Sequence, residues 1–131
     1  MNTTYFLNMV MGNVFKTKTS PALPTNYYIG LSSTTPTTSG TGVTEPSGGA
    51  YARVQMANMS QPSNGVITNT AAITFPESTR SWGTLTHYVV YDATTGGNLL
   101  FYGALANSRT VDSNTTIAFK VGEFTITLEN G

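Results

Sequence analysis

Residues 81–105 constrain the fold of this 131-residue chain more than any other segment. They read SWGTLTHYVVYDATTGGNLLFYGAL, in which two runs rich in β-branched and aromatic residues flank a loop of Thr, Gly and Asn. Such runs on either side of a Gly-containing loop are typical of a β-hairpin. The segment therefore predicts a hairpin with strands at about 83–91 and 99–104, buried on at least one face.

Short apolar runs separated by turn residues continue along most of the chain. They predict further strands at residues 27–32, 51–59, 66–75, 117–121 and 124–128. This spacing indicates an all-β fold, an antiparallel β-sandwich of jelly-roll or immunoglobulin-like type with about 7–8 short strands and one N-terminal helix. We expect residues 1–26 to form the helix and a connector, and residues 27–131 to form a single sandwich domain. The polar loop 33–49 is unusually long, which predicts that it is functional or mobile.

The N-terminal segment 4–16 is the one helix candidate, with Asn2, Thr3 or Thr4 as its cap. Most of its surface is apolar, so it must be covered either by its own domain or by a neighbouring subunit. It lacks the basic start of a signal peptide and is too short to span a bilayer, so no membrane insertion is expected. We predict an attachment element whose subunit contact comprises Phe6, Leu7, Val10, Met11 and Val14.

The composition limits the classes of partner. Six basic residues balance six acidic ones, and only 9% of the residues are charged, against about 25% in an ordinary domain. A net charge of zero argues against electrostatic capture of nucleic acid or of an anionic membrane. Such a weakly charged surface suits a subunit that packs against copies of itself or against a larger body. The absence of Cys excludes disulfides and thiolate metal sites.

Residues able to carry chemistry are few. Trp82 and His87, the only Trp and His, both lie within the predicted hairpin. Strand alternation predicts that His87 shares one side with Leu85 and Val89, as a packed or interface residue rather than a base. The six carboxylates are scattered and lie in or beside turns, so no nucleophile–base pair or metal cluster is indicated. We expect no enzymatic activity and no cofactor.

Three further residues are assigned structural roles. Arg53 stands in an otherwise uncharged strand, which predicts a partly buried guanidinium bonded to loop carbonyls. Gly96 and Gly97 provide the positive φ that the hairpin loop requires.

The aromatic residues permit two interpretations. Trp82, Phe101, Phe119 and Phe124 lie where a small β-core needs bulk. Six tyrosines, if exposed, would form a stacking platform for sugars together with loop 33–49. These are Tyr27, Tyr28, Tyr51, Tyr88, Tyr91 and Tyr102.

Several motifs in fixed order resemble a family of small tailed-bacteriophage virion proteins, commonly labelled phage tail fibre or minor tail proteins. The motifs are GLSSTTPT at 30–37, EPSGGAYARV at 45–54, NGVITNTAAITFP at 64–76, WGTLTHYVVYDATTGGNLLFYGAL at 82–105 and VGEFTITL at 121–128. The resemblance covers about residues 27–128 and supplies no catalytic motif.

The resemblance implies a structural subunit of the virion, assembled in the host cytoplasm and associated with tail, baseplate or fibre. Other virion proteins would be its partners, and the symmetry of phage organelles favours a homo-oligomer, a trimer or hexamer. The chain has no long heptad repeat, so it is not expected to be a fibre shaft. Two alternatives stay open: a capsid-decoration or head-fibre protein, and a module that binds a host receptor or surface glycan.

Overall fold

The computed structural model describes residues 1–15 and 22–128, in which it has one helix and eight strands. The elements are α1 (Thr4–Val14), β1 (Tyr28–Ser32), β2 (Val54–Gln55), β3 (Val66–Thr68), β4 (Ile73–Thr74), β5 (Gly83–Tyr91), β6 (Leu99–Val111), β7 (Ala118–Phe119) and β8 (Thr125–Thr127). Every ladder between these strands is antiparallel. The predicted all-β sandwich with an N-terminal helix is confirmed.

The sandwich core lies between one larger sheet and two small ladders. The sheet has four strands in the order β2-β1-β5-β6, and the ladders pair β3 with β8 and β4 with β7. Leu31 and Leu85 of the sheet belong to the same buried cluster as Phe75, Phe119 and Phe124. The rings of Phe119 and Phe124 lie 5.4 Å apart. Trp82, Phe101, Phe119 and Phe124 are all buried, as predicted.

The second face of the four-stranded sheet is covered by loop 33–49. Val43 of this loop packs on a cluster that includes Val89 and Tyr102. Two hydrogen bonds hold Thr44 of the loop to the end of β1, because Ser33 N–H donates to the Thr44 carbonyl at 3.0 Å and Thr44 N–H donates to the Ser32 hydroxyl at 3.0 Å. The loop is therefore a hydrogen-bonded cover over the sheet.

The hairpin contains an irregularity that alternation alone cannot reveal. Leu85 pairs with Arg109, whereas His87 pairs with Ala104, so residues 105–108 of β6 all face the single residue Thr86. A bulge of this kind changes which side chains face each side of a sheet. Leu85 enters the main core, while Val89 lies in the cluster on the other face. The prediction that these two residues share one side with His87 is wrong.

Some predicted boundaries also need correction. The run 66–75 is two strands, β3 and β4, which pair with different partners. The second hairpin strand extends to Val111, the strand predicted at 51–59 is only Val54–Gln55, and the helix ends at Val14. Its predicted end at Lys16, the connector residues 17–21 and the domain residues 129–131 lie outside the described residues.

Asn69 explains why the run 66–75 is interrupted. Its buried side chain donates from Nδ2 to the carbonyls of Ala71 at 3.0 Å and Lys120 at 2.9 Å. Its Oδ1 accepts from the backbone N–H groups of Gly122 at 3.1 Å and Phe124 at 3.0 Å. The Asn69 side chain thus joins the turn between β7 and β8 to the segment between β3 and β4. Backbone groups in these two segments are outside the strand ladders, and the amide gives four of them a hydrogen-bond partner.

Candidate functional site

The N-terminal helix is attached to the sheet by the residues that precede it. Thr3 N–H donates to the Leu100 carbonyl at 2.9 Å, and Tyr102 N–H donates to the Met1 carbonyl at 2.9 Å. The first three residues therefore add to the edge of β6. Thr3 is also the N-cap, since its buried Oγ1 accepts from Phe6 N–H at 3.2 Å.

One face of α1 packs on its own domain. Met9 is 1% exposed and Gly12 is buried, and the contacts of the helix with the strands are with β6. The sequence left open whether the helix is covered by its own domain or by a neighbouring subunit, and the two faces of the helix differ in this respect. The inner face is covered by the domain and the outer face is not.

The outer face carries the most exposed of the predicted contact residues. Leu7 is 49% exposed, Met11 51% and Val14 62%. Residues at i, i+4 and i+7 adjoin along one side of a helix, so these three side chains form a continuous apolar stripe. Phe6 and Val10 are half-buried beside it. The sequence of α1, TYFLNMVMGNV, contains no charged residue. Contiguous exposed apolar surface of this kind marks interaction sites.

A nonpolar cleft of about 350 Å³ lies between the helix and the strands. Phe6 lines it from the helix, Leu100 and Phe101 from β6, and Ile126 from β8. Leu128, at its rim, is 51% exposed. The cleft thus extends the apolar surface of the helix across the edge of the sandwich.

Arg53 is the centre of a network of polar bonds. Its Nε and Nη2 donate to the Glu45 carboxylate at 3.0 and 2.7 Å, and its Nη1 donates to the Ala93 and Gly96 carbonyls, both at 2.8 Å. The guanidinium carbon lies 3.7 Å from the centre of the Tyr91 ring. Burial alone would lower the pKa of Arg53, but its bonds to Glu45 raise that pKa above the ordinary value. The network joins loop 33–49 to the hairpin loop.

Tyr51 and Trp82 extend this network to the sheet. The Tyr51 hydroxyl donates to Glu45 at 2.5 Å and accepts from Leu31 N–H at 3.0 Å, where β2 no longer pairs with β1. Burial, and then the Glu45 carboxylate, raise the pKa of Tyr51. The Trp82 indole N–H donates to the Gly49 carbonyl at 2.8 Å, and its ring meets Tyr51 edge to face.

The hairpin loop requires Gly97 for both space and conformation. Gly96 and Gly97 have φ of 59° and 76°. A Cβ on Gly97 would lie 2.5 Å from Asp92 Oδ1, the atom that accepts from Asn98 N–H at 2.8 Å. Any side chain at Gly97 would therefore displace the carboxylate that closes the loop.

His87 has no arrangement that suggests a catalytic base. It is half-buried, its Nδ1 lies 2.8 Å from Thr86 Oγ1, and burial lowers its pKa. Its strand partners are Ser32 and Ala104. Among the residues that the structure describes, no group of three or more His, Cys, Asp or Glu side chains could hold a metal ion.

The six tyrosines considered for sugar stacking do not form an exposed platform. Tyr91 and Tyr102 are 9% exposed, and the other four are half-buried. Tyr88 packs against Phe101 and Phe124, and burial raises the pKa of Tyr88 to about 12. No helix within the described ranges is long and apolar enough to cross a membrane.

A β-sandwich with few charges and an apolar helix face turned outward has the features of a structural assembly subunit. Residues 2–127 match the family described as Podophage GP4 fiber I protein gp80, so the chain belongs to this family of phage fibre proteins. Membership makes it a component of the virion and confirms the resemblance to tail-fibre-type phage proteins. A search of curated proteins found no match to the chain.

Proposed function

We propose that this protein is a non-enzymatic structural subunit of a phage tail fibre or its attachment region, acting through oligomeric packing with other virion proteins. The observation that carries the proposal is the apolar stripe of Leu7, Met11 and Val14 on the outer face of α1. Family membership supports a role in the virion, and the stripe supplies a surface through which the subunit would be held there.

The stripe is large enough to matter energetically. Each of its three side chains is about half exposed, and covering that half contributes about 1 kcal/mol per residue. No charged residue in α1 would have to be desolvated on docking. The cleft lined by Phe6 offers a further apolar surface without charged residues.

The capsid-decoration or head-fibre alternative would use the same surface and differ only in where the subunit docks. Localisation of the protein in intact particles by electron microscopy separates these roles. Density at the tail supports our proposal, and density confined to the head would replace it with the alternative.

The glycan-binding alternative has no comparable observation in its favour. Loop 33–49 is hydrogen-bonded to the end of β1, and the six tyrosines that would accompany it are buried or half-buried. Host-glycan binding stays a prediction from the sequence, testable on a glycan array.

The test of the proposed function is incorporation into particles. We expect Met11→Glu to fold but to be lost from virions, because it places a charge in the centre of the stripe. Asn8→Glu is the matched control, since Asn8 is exposed on the same helix outside the stripe. Normal incorporation of a folded Met11→Glu protein, verified by circular dichroism, would refute the use of this surface.

A further inference from the structure

We propose that a pocket beside the irregular stretch of β6 binds a neutral sugar ring. The pocket has a volume of about 350 Å³ and lies between residues 103–109 of β6 and residues 119–125, which connect β7 to β8. Its described lining residues include none of loop 33–49, where the glycan-binding alternative places its site. Sugar binding in this pocket is a function additional to the proposed structural one.

The irregular pairing of β6 with β5 coincides with the pocket. Four residues of β6, 105–108, lie opposite the single residue Thr86, and Leu105 and Asn107 of this stretch line the pocket. Bulges re-aim side chains and are over-represented next to active sites. This bulge also interrupts the regular row of backbone groups that an added strand needs, so the site suits a compact ligand better than an extended peptide.

One wall of the pocket is aromatic and consists of Tyr88, Phe119 and Phe124. The ring centres of Tyr88 and Phe124 are 4.9 Å apart, and those of Phe119 and Phe124 are 5.4 Å apart. Tyr88 packs closely over Gly103, since a Cβ at Gly103 would lie 2.5 Å from Tyr88 Cε2. Such a wall fits the apolar C–H face of a sugar ring. The volume is at the lower end of the range for ligand pockets, which suits a small ligand.

Two opposite charges lie beside this wall without a hydrogen bond to each other. Arg109 Nη2 is 3.6 Å from Glu123 Oε2, and the two side chains are 36% and 41% exposed. Other bonds hold both side chains in place. Arg109 Nη1 donates to the Ala118 carbonyl at 3.2 Å, and Glu123 Oε1 accepts from Lys120 N–H at 2.6 Å. A donor and an acceptor are thus fixed side by side where both can bond a ligand.

This pair favours a neutral ligand with neighbouring hydroxyl groups. Of the described residues that line the pocket, Arg109 and Glu123 are the charged ones. Glu123 would repel an anion and Arg109 would repel a cation. One hydroxyl of a sugar can accept from Arg109 while its neighbour donates to Glu123. The aromatic wall and the paired donor and acceptor together match a neutral sugar.

Titration of the full chain with sugars, followed through its backbone amide NMR signals, tests the proposal. The neutral probes are the methyl glycosides of glucose, galactose, mannose and N-acetylglucosamine, and the charged comparison ligands are glucuronic acid and glucosamine. We expect at least one neutral glycoside to bind with a dissociation constant of about 1 mM and to shift the signals of residues 103–109 and 119–125. Glucuronic acid and glucosamine should bind more weakly, because each meets a like charge in the pocket.

Glu123→Gln gives a readout that a purely structural role of the pair would not produce. The substitution keeps the Oε1 acceptor for Lys120 N–H and leaves Arg109 without an opposing charge. Affinity for glucuronic acid should rise about fivefold relative to the neutral glycoside, whereas the exposed control Glu77→Gln should leave this ratio unchanged. Absence of saturable shifts with all four neutral glycosides at about ten times the expected dissociation constant, or shifts confined to other residues, would overturn the proposal. An unchanged ratio in a folded Glu123→Gln protein would overturn the role given to the charged pair.

Discussion

Replacing Asn69 by Asp tests whether one buried amide organises the second layer of the sandwich. The change keeps the shape of the side chain and the acceptor that faces the N–H groups of Gly122 and Phe124. It removes the donor that serves the carbonyls of Ala71 and Lys120 and places a carboxylate oxygen against them. Stability should therefore fall although the volume of the side chain hardly changes.

The magnitude follows from the Ala71 carbonyl, which loses its donor, whereas the Lys120 carbonyl still accepts from Glu123 N–H at 2.9 Å. Leaving a buried polar group unsatisfied costs about 1–3 kcal/mol, which gives about 2 kcal/mol before any charge is considered. Asn69 is 1% exposed, so water reaches the site poorly. For a domain of this size a loss of about 2 kcal/mol lowers the melting temperature by about 5–10 °C.

The pH dependence makes the prediction specific to Asn69→Asp. Burial and the neighbouring carbonyl oxygens favour the protonated acid, whereas the N–H groups of Gly122 and Phe124 favour the carboxylate. We expect burial to prevail and to raise the pKa of the new carboxyl above its unfolded value, so that the carboxylate form favours unfolding. The penalty is fully present above the folded-state pKa and shrinks as the pH falls below it, where the protonated acid can again donate one bond. Exposed Asn107→Asp is the control for the same charge change and should shift the free energy of unfolding by less than about 0.5 kcal/mol.

Urea unfolding of the original chain and both variants at pH 7 and pH 4 measures these differences. A loss below about 1 kcal/mol at pH 7 would contradict the role given to Asn69. A penalty that is equal at the two pH values would contradict the reasoning about the carboxyl.

Three further measurements address the other polar groups. Arg53→Met removes the guanidinium that bonds to Glu45 and to two loop carbonyls, and it should cost about 3–5 kcal/mol in denaturant unfolding. Exposed Arg80→Met is the control and should cost under about 1 kcal/mol. Equal effects of the two substitutions would contradict the importance of the Arg53 network. Burial lowers the pKa of His87, so its contribution to stability is present above pH 6.5 and decreases as the pH falls through its folded-state pKa. His87→Gln should remove that part of the pH dependence in thermal melts between pH 5 and 8, and an unchanged profile would refute the assignment. Absorbance titration should show Tyr88 ionising near pH 12, with stability lost as the pH rises from 10, and the phase should disappear in Tyr88→Phe.

The core was predictable because it depends on residue type and alternation. Phe101, Phe119 and Phe124 are bulky apolar residues in short β-runs, and burial is the favourable position for them wherever the strands pair. Strand β5 has the predicted bounds. Asn69 was not predictable, because a polar residue in the run 66–75 carries no local sign that three backbone groups more than 50 residues away will converge on its amide.

The apolar helix was equally evident in the sequence, but its division into two faces was not. Sequence periodicity gives the relative angles of Leu7, Met9 and Met11 around α1 and does not say which of them meets the sheet. That orientation depends on the pairing of residues 1–3 with β6, a contact about 100 residues away along the chain.

By itself the sequence determined a weakly charged all-β fold with one apolar helix, its main hairpin and the kind of particle it belongs to. These follow from local propensity, composition and motif order. The tertiary structure decided which side of β5 each residue faces, because the pairing of β5 with β6 is irregular at Thr86 and Leu85 and Val89 enter different buried clusters. It also decided that Leu7, Met11 and Val14 face outward, since only long-range pairing fixes how a helix is set on its sheet.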